Sequence, residues 1–263
     1  MDTWRGKWAL VTGASAGIGK ALAAELAAGG ANLVLTARRR DRLEQLASEL
    51  SSKHGVRAEV CPADLGAPGA PQGIFDFTAS RGIEVDVLVN NAGFGASGEF
   101  TATPVERSLE MVQVNCAAVT HLTYLYLAGM IARRRGYVLI LASTAAFQGV
   151  PYLSLYAATK AFDLLLAEGL AVEVRQYGVR ICALCPGQTE SEFHQVAGTT
   201  DHKRPGEESA EKVAHVGLAA LAKGKSFVIS GAMNNLANFG ERFIPRSVIA
   251  SAAAKMYRPK SLR

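Results

Sequence analysis

The chain has 263 residues, 49% of them hydrophobic and 19% charged, with a formal charge of +5 and a mass of 27.8 kDa, which suffices for one substantial core and points to a single domain over 1–263. The composition excludes long disorder, collagen-like and coiled-coil designs. No apolar run reaches the roughly 18 residues of a membrane-spanning helix, and the stretch Met1 to Lys7 lacks the charged and apolar regions of a secretion signal, so a cytoplasmic protein with no integral membrane segment is expected.

Strand-like and helical runs alternate along the chain, the pattern of βαβ units around a parallel sheet. The first strand, Trp8 to Thr12, leads into Thr12-Gly13-Ala14-Ser15-Ala16-Gly17-Ile18-Gly19 and a helix over Gly17 to Ala28. Glycines in a strand-to-helix turn let the backbone approach a phosphate closely, and the amides at the positive end of the helix face the anion. By itself, such a turn also serves as a tight connection with no ligand. The second strand, Asn32 to Ala37, ends where an acidic residue would hold the ribose hydroxyls of NAD, but Arg38, Arg39 and Arg40 stand there. Arg38 and Arg39 can instead grip a 2′-phosphate through charge-assisted hydrogen bonds, which predicts NADP(H). Arg40 reads as the solvated approach to the next helix, Arg42 to Ser52. After a third strand, Val56 to Cys61, Asp64 is placed to accept from an adenine amino group or, equally, to cap a helix, with Leu65 beside it.

The fourth strand, Val85 to Asn90, precedes Asn91, Ala92 and Gly93, and a helical stretch runs from Pro104 to Arg133. The fifth strand, Tyr137 to Ala142, ends at Ser143, whose hydroxyl can hydrogen-bond a substrate carbonyl. In the helical stretch Tyr152 to Tyr177, Tyr156 and Lys160 are four apart and share one face. A phenol titrates at about 10 in water, and a neighbouring ammonium, helped by a positive nicotinamide, favours the phenolate and brings it toward working pH. Taken alone, such a pair is common on amphipathic surfaces. The sixth strand, Val179 to Leu184, runs into Pro186 and Gly187, after which Gln188 to Glu208 has little periodicity and suggests a loop or lid. A helix over Ala210 to Ala222 and a seventh strand, Ser226 to Ser230, complete the alternation. The chain then passes Asn234, Asn235 and Asn238 into a partly apolar, basic final helix, Phe243 to Tyr257, suited to an oligomer contact or to a membrane surface.

Charge and metal-type residues point nowhere else. The densest basic runs, Arg38 to Arg40 and Arg133 to Arg135, are too short to imply nucleic-acid binding. Cys182 and Cys185 form a CxxC inside a strand, where residues three apart point to opposite faces and cannot share a bridge or a metal. His54, His121, His194, His202 and His215 lack ligand spacing, so no metal is expected.

Together, the turn at 12–19, Asn90-Asn91-Ala92-Gly93, Asn115, Ser143, the pair Tyr156/Lys160 and Pro186-Gly187 stand in the order and spacing of the short-chain dehydrogenase/reductase family, which the chain resembles from Lys7 to about Ser230. The resemblance is to its NADP(H)-preferring oxidoreductase branch, similar to ketoacyl and hydroxysteroid reductases. It implies an α/β, single-domain Rossmann fold, a doubly wound seven-stranded parallel sheet with helices on both faces. It also implies a cofactor half at about 7–110, a catalytic and substrate half at about 111–230 and a helical extension at about 231–263. In that family pattern Tyr156 is the general acid/base, Lys160 binds the nicotinamide ribose and lowers the tyrosine pKa, Ser143 orients the carbonyl, and Asn115 holds a water that relays protons to Lys160. Gly13, Ser15, Ala16, Gly17, Ile18, Gly19, Arg38, Arg39, Asp64, Leu65, Asn91, Ala92, Gly93, Pro186, Gly187 and Thr189 would lie along the cofactor, with Tyr156 and Lys160.

The implied activity is NADPH-dependent reduction of a ketone or aldehyde. The same residues run in reverse would oxidise a secondary alcohol or hydroxysteroid, and a non-catalytic NADPH-sensing protein would keep the fold. Phe94, Phe147, Val150, Tyr152, Leu153, Gln188 and Phe193 are candidates for an apolar substrate pocket, and a homodimer or homotetramer is the family expectation. The sequence departs from the family pattern twice. Ala16 stands where many NADP-using relatives carry a basic residue, so phosphate recognition rests on Arg38 and its neighbour. Ser230-Gly231-Ala232-Met233-Asn234 lacks the paired glycines of tetrameric members, which puts the usual tetramer in doubt.

Overall fold

The computed structural model describes residues 3–190, 192, 197 and 207–258. Among them, β1 (Trp8–Thr12), β2 (Asn32–Thr36), β3 (Ala58–Val60), β4 (Val85–Asn90), β5 (Gly136–Leu141), β6 (Val179–Cys185) and β7 (Phe227–Ile229) form one sheet in the order β3-β2-β1-β4-β5-β6-β7. Every neighbouring pair is parallel. The helices are α1 (Gly17–Ala28), α2 (Arg40–His54), α3 (Ala70–Ser80), α4 (Val105–Val112), α5 (Ala118–Ala132), α6 (Ser154–Glu173), α7 (Ala210–Ala222), α8 (Ala232–Glu241) and α9 (Arg246–Tyr257). This is the doubly wound Rossmann arrangement that the alternating runs imply.

Side-chain alternation along the strands builds two cores. Val11, Leu33, Leu35, Val89 and Leu139 face Leu22 and Leu26 of α1, Leu43 of α2 and Leu218 of α7, whereas Leu10, Val34, Leu88, Val138 and Ile140 face Ile74 of α3, Leu122 and Met130 of α5 and Leu164 of α6. Central parallel strands covered on both faces favour apolar residues at nearly every position; β1 and β4 are buried throughout, with Thr12, Asp86 and Asn90 their polar members. Cys182 falls in the first core and Cys185 in the second, so the period-2 argument that separates them holds. Burial pushes the Cys182 thiol up to about 12 and raises Cys185 as well, leaving both protonated.

Four elements differ from the sequence reading. Helix α3 was not among the stretches read as helical. Its Pro71 sits in the first turn, where the missing N–H removes no intrahelical bond, and Ile74 and Thr78 on its inner face are buried. The Pro104 to Arg133 stretch is α4 and α5 joined by a π-helical turn, Gln113–Ala117, that carries Asn115. By length and composition Val105–Ala132 passes for a membrane span, but half of the apolar window is buried in the fold, where α5 packs on α3, β4 and β5. Helix α6 starts at Ser154 because Tyr152 has φ +66°, the left-handed region, which a helix cannot continue through. The final helix begins at Arg246 rather than Phe243, capped by Pro245, and a further helix, α8, which holds Asn234, Asn235 and Asn238, precedes it.

Strands β1 and β4 are neighbours whose onward connections run in opposite directions, so the turns beyond their C-terminal ends part and leave a crevice. Most of the predicted lid, Gln188 to Glu208, lies outside the described residues. Of its ends, Thr189 and Glu208 pair side by side in a short parallel bridge.

Candidate active site

A cavity of about 440 Å³ fills that crevice and runs along the C-terminal ends of β1 to β6. Its floor is the glycine turn. Gly13 has φ +67°, and a Cβ there would stand 2.7 Å from Asn91 Nδ2 and 3.0 Å from the backbone of Ala92, so only glycine lets the β1 and β4 turns meet. Asn91 then ties them together: its Nδ2 donates to Thr12 O at 2.8 Å, and Thr12 Oγ1 accepts from the amides of Asn91 and Ala92, each at 2.9 Å. Asn90 is structural, donating to Thr123 Oγ1. Helix α1 begins at Gly17 with no side-chain cap on Ala16 and no acid in its first turn. Ser15, Ala16, Gly17, Ile18 and Gly19 all line the cavity. An uncapped helix N-terminus presented to a cavity fits a pyrophosphate.

At one end of the cavity Arg38 and Arg39 form a cationic wall. Arg39 donates from Nε and Nη2 to Ser15 Oγ at 3.2 and 3.0 Å, which fixes its guanidinium beside the glycine turn. Its Nη1 donates to Glu192 at 2.8 Å, and Arg42 donates to the other oxygen of the same carboxylate at 2.6 Å. These hydrogen bonds from Arg42 and Arg39 hold Glu192 below the usual carboxylate range. The donors that grip a carboxylate here are the kind that grip a phosphate. Arg38 is more exposed and lies 3.9 Å from Glu110. Asp64 lines the adjoining wall with Leu65, and its Oδ1 accepts from Gly66 N at 3.0 Å. It caps no helix: α3 starts at Ala70 with Gly69 as its N-cap.

The opposite end holds the reactive groups. Tyr156 and Lys160 occupy one face of α6, with Lys160 Nζ 6.0 Å from the Tyr156 ring centre. Ser143 follows β5, accepts from Ala145 N at 3.1 Å and hydrogen-bonds the Tyr156 hydroxyl. Lys160 is buried, and its ammonium donates to Leu141 O at 2.6 Å and to Asp163 Oδ2 at 2.9 Å. Burial alone would lower Lys160, but Asp163 and Tyr156 outweigh it and hold the ammonium above its ordinary pKa. Burial pushes Tyr156 up; Lys160 and the Ser143 hydrogen bond oppose that push, and Asp163 and Tyr257 add to it. Lys160 thus acts in the expected direction, yet the net displacement of the phenol is upward, because desolvation of the ring's surroundings outweighs one ammonium.

Asn115 is fully buried in the π-helical turn. Its Oδ1 accepts from Phe94 N at 3.1 Å, and its Nδ2 donates to Phe94 O and Thr159 Oγ1, both at 3.0 Å. Both polar ends of the side chain are therefore engaged with protein, and its visible role is to pin the β4 turn against α6. Gly93 lies in between: a Cβ on it would come within 3.0 Å of Asn115 Oδ1 and 3.4 Å of Lys160 Nζ.

Of the pocket residues read from sequence, Phe94, Val150, Leu153 and Gln188 line the cavity, as do Pro186, Gly187 and Thr189. Phe147 does not; its ring packs on Phe227, 6.2 Å away, because the turn after β5 directs it toward the sheet edge. Tyr152 does not either: its left-handed backbone turns it aside, its carbonyl accepts from Gly98 N and its hydroxyl meets Arg258 Nε at 3.3 Å. Phe193 lies outside the described residues. Cavity residues that were missed include Val114, Gln148, Glu192 and Tyr257, the last brought from α9 to pack with Val150, Leu153 and Tyr156. Asp163 was missed as well, though its spacing of three from Lys160 was readable as a helix-face pair.

A sequence profile described as short chain dehydrogenase matches residues 7–202. The chain belongs to the short-chain dehydrogenase/reductase family. Among the family's reductases, very-long-chain 3-oxoacyl-CoA reductase of Pyrenophora tritici-repentis is 37% identical over 183 residues, covering 67% of this chain and 53% of that protein. The 17-beta-hydroxysteroid dehydrogenase type 3 of Mus musculus is 37% identical over 186 residues, 69% of this chain and 59% of that protein. The chain thus spans little more than half the length of these relatives. A short-chain dehydrogenase from Sphingobium yanoikuyae, solved in complex with NADPH, superposes with a TM-score of 0.81 at 30% identity, over 90% of this chain and 94% of that one. Of its family pattern, Ser143 and Tyr156 line one end of the cavity, with Lys160 beside the Tyr156 ring.

Proposed function

We propose that this protein is an NADP(H)-dependent reductase of apolar ketones with Tyr156 as its proton donor. The observation that carries the reading is the polarity of one cavity: Arg38 and Arg39 at one end, the uncapped start of α1 in the middle, and Ser143 with Tyr156 at the other. That order matches the 2′-phosphate, pyrophosphate and nicotinamide of a single extended dinucleotide. When bound, the reduced nicotinamide supplies the hydride. Ser143 and Tyr156 hydrogen-bond the carbonyl oxygen, and Tyr156 releases its phenolic proton to the alkoxide as it forms. Lys160 stabilises the phenolate left behind and is the next proton-bearing group inward, with Asp163 holding it charged. Tyr156, pushed up by its surroundings, stays protonated at neutral pH and is therefore in the state a reductase needs.

Phe94, Val114, Val150, Leu153 and Tyr257 make the wall near Tyr156 apolar, which favours a hydrophobic ketone over a sugar. The oxoacyl and steroid substrates in the names of the relatives are of that kind. The test follows NADPH absorbance with a panel of ketones, aldehydes and 3-oxoacyl thioesters, with wild type and Tyr156→Phe side by side. Tyr156→Phe is expected to lose roughly 10²–10⁴-fold in kcat while still binding NADPH. Turnover surviving in the variant would overturn the assignment, and tight NADPH binding without turnover on any compound would favour a sensing role.

A further inference from the structure

Helix α8 is built inside out. Its inner face is polar: Asn238 is buried, Asn234 Nδ2 donates to Ser230 O at 2.7 Å, and the Glu241 carboxylate accepts from the Gln148 amide of the cavity wall at 2.8 Å. Its outer face is apolar. Met233, Leu236 and Phe239 are 73%, 65% and 57% exposed, and the stripe continues into Phe243, Ile244 and Val248 at the turn into α9. The Phe239 and Phe243 rings stack edge to face with centres 5.5 Å apart, so the tip of the hairpin is one aromatic surface. A helix that faces water shows the opposite arrangement, with polar groups outside and apolar ones packed inward. Large apolar side chains gathered on an outer face mark an interaction surface.

The charge around the stripe selects its partner. Over 232–258 the chain carries four cations, Arg242, Arg246, Lys255 and Arg258, against one acid, Glu241, a net of +3 by that count. Arg242 and Arg246 are exposed and flank Phe243 and Ile244, whereas Glu241 is turned toward Gln148. A second copy of the same face would bring like charges together. An anionic bilayer instead accepts the aromatic tip at its interface and neutralises the arginines.

We propose that the α8–α9 hairpin docks the protein peripherally on membranes rich in anionic lipid, with Phe239, Phe243 and Ile244 inserted at the headgroup level and Arg242 and Arg246 on the lipid phosphates. The hairpin is continuous with the cavity wall through Tyr257 and through the Gln148–Glu241 contact, so docking places the reactive end of the cavity near the lipid. The docking surface stands independently of the reductase reading, because its test reads vesicle binding rather than turnover.

The experiment co-sediments the full chain with vesicles of phosphatidylcholine alone or of phosphatidylcholine with phosphatidylglycerol, at low and high salt. Binding is expected on the anionic vesicles and is expected to fall with salt. Arg242→Gln and Arg246→Gln should each weaken it roughly 5-fold, and Phe239→Ser with Phe243→Ser should weaken it about 10-fold or more. All four positions are exposed and outside the cavity, so NADPH binding and thermal stability stay at wild-type values and report that the variants are folded. Absence of binding to either vesicle, or equal binding to both, overturns the proposal. So does a wild-type dimer, seen by light scattering, that becomes monomeric in the Phe239→Ser/Phe243→Ser chain without any vesicle binding; that result assigns the face to a second copy.

Discussion

Replacing Asp163 by Asn keeps the shape of the side chain and removes the charge that faces Lys160. Both side chains are almost fully buried, 5% exposed for Lys160 and 1% for Asp163, and the second oxygen of Asp163 is buried without a partner among the described residues, so the carboxylate's main connection is to this ammonium. At 2.9 Å and an effective dielectric of about 20, the Coulomb energy is about 6 kcal/mol. Neutralising Asp163 also relieves the desolvation of its own charge. Removal of one partner from a buried pair costs about 3–5 kcal/mol net. For a chain of this size that corresponds to a fall of roughly 6–20 °C in Tm. The pH dependence identifies the cause. In wild type the folded Lys160 titrates above its ordinary value, so its contribution to stability is complete below that value and is lost only as pH rises through the folded pKa. In the Asp163→Asn variant, burial dominates and the folded Lys160 titrates below its ordinary value, so the variant regains stability as pH climbs toward about 10. On the acid side, burial pushes Asp163 up, so its protonation favours the fold and the wild type gains stability from this group as pH falls through the folded value. The stability difference, read by urea unfolding of both proteins from about pH 7 to about pH 10, should therefore narrow as pH rises. A difference under about 1 kcal/mol at neutral pH, the value typical of an exposed pair, or one that stays flat with pH, would refute a charge-based role for Asp163.

Other substitutions probe the remaining parts of the cavity. Arg39→Ala should lower the NADPH-to-NADH ratio of kcat/KM by roughly 10-fold or more, the worth of a hydrogen bond to a charged group, and Arg38→Ala should move it the same way; steady-state kinetics with both cofactors decide it. Phenolate absorbance of wild type minus Tyr156→Phe should show a titration above the ordinary tyrosine value of about 10, with the alcohol-oxidising rate rising and the ketone-reducing rate falling as pH increases through it. Gly93→Ala forces a Cβ against Asn115 Oδ1 and Lys160 Nζ, and an overpacking cost of about 1–3 kcal/mol should appear as lost kcat and lost thermal stability together, whereas Gly69→Ala, which meets nothing, should change neither.

Local chemistry made much of the fold legible. β1 and β4 had to be buried on both faces, and their largely apolar runs, Trp8 to Val11 and Val87 to Val89, announce this; the glycine turn announces itself through spacing at the one place where two backbones must nearly touch. Where the reading failed, the determinant lay elsewhere in the chain or in a single backbone angle. The left-handed φ of Tyr152 moves the start of α6 inward by two residues and removes that ring from the pocket. Pro245 was visible, yet the apolar pattern on either side of it carried the predicted helix through. Helix α3 is masked by Gly69 and Pro71, residues of loop type that its N-cap and first turn accommodate.

The catalytic set shows the same division more sharply. Tyr156, Lys160 and Ser143 come together as their spacing and order in the sequence suggest. Whether the lysine is charged, and which way the phenol moves, depends on how much water the fold removes and on which carboxylate it brings within reach. Asp163 lies in the same helical turn as Lys160, yet a Lys and an Asp three apart on a helix read as a solvated surface pair worth a few tenths of a kcal/mol. Only the burial of α6 against β5 and β6 turns that pair into one whose loss threatens the fold. Tyr257 makes the complementary point: it reaches the cavity from the last described helix, 101 positions beyond Tyr156 (257 minus 156), by a route through α8 and the turn after it. The inversion of α8 that exposes Phe239 and Phe243 is therefore coupled to the completion of the substrate wall. A substitution at Asn238 or Glu241 that loosened the hairpin would be expected to alter the pocket, while one at Phe239 would not.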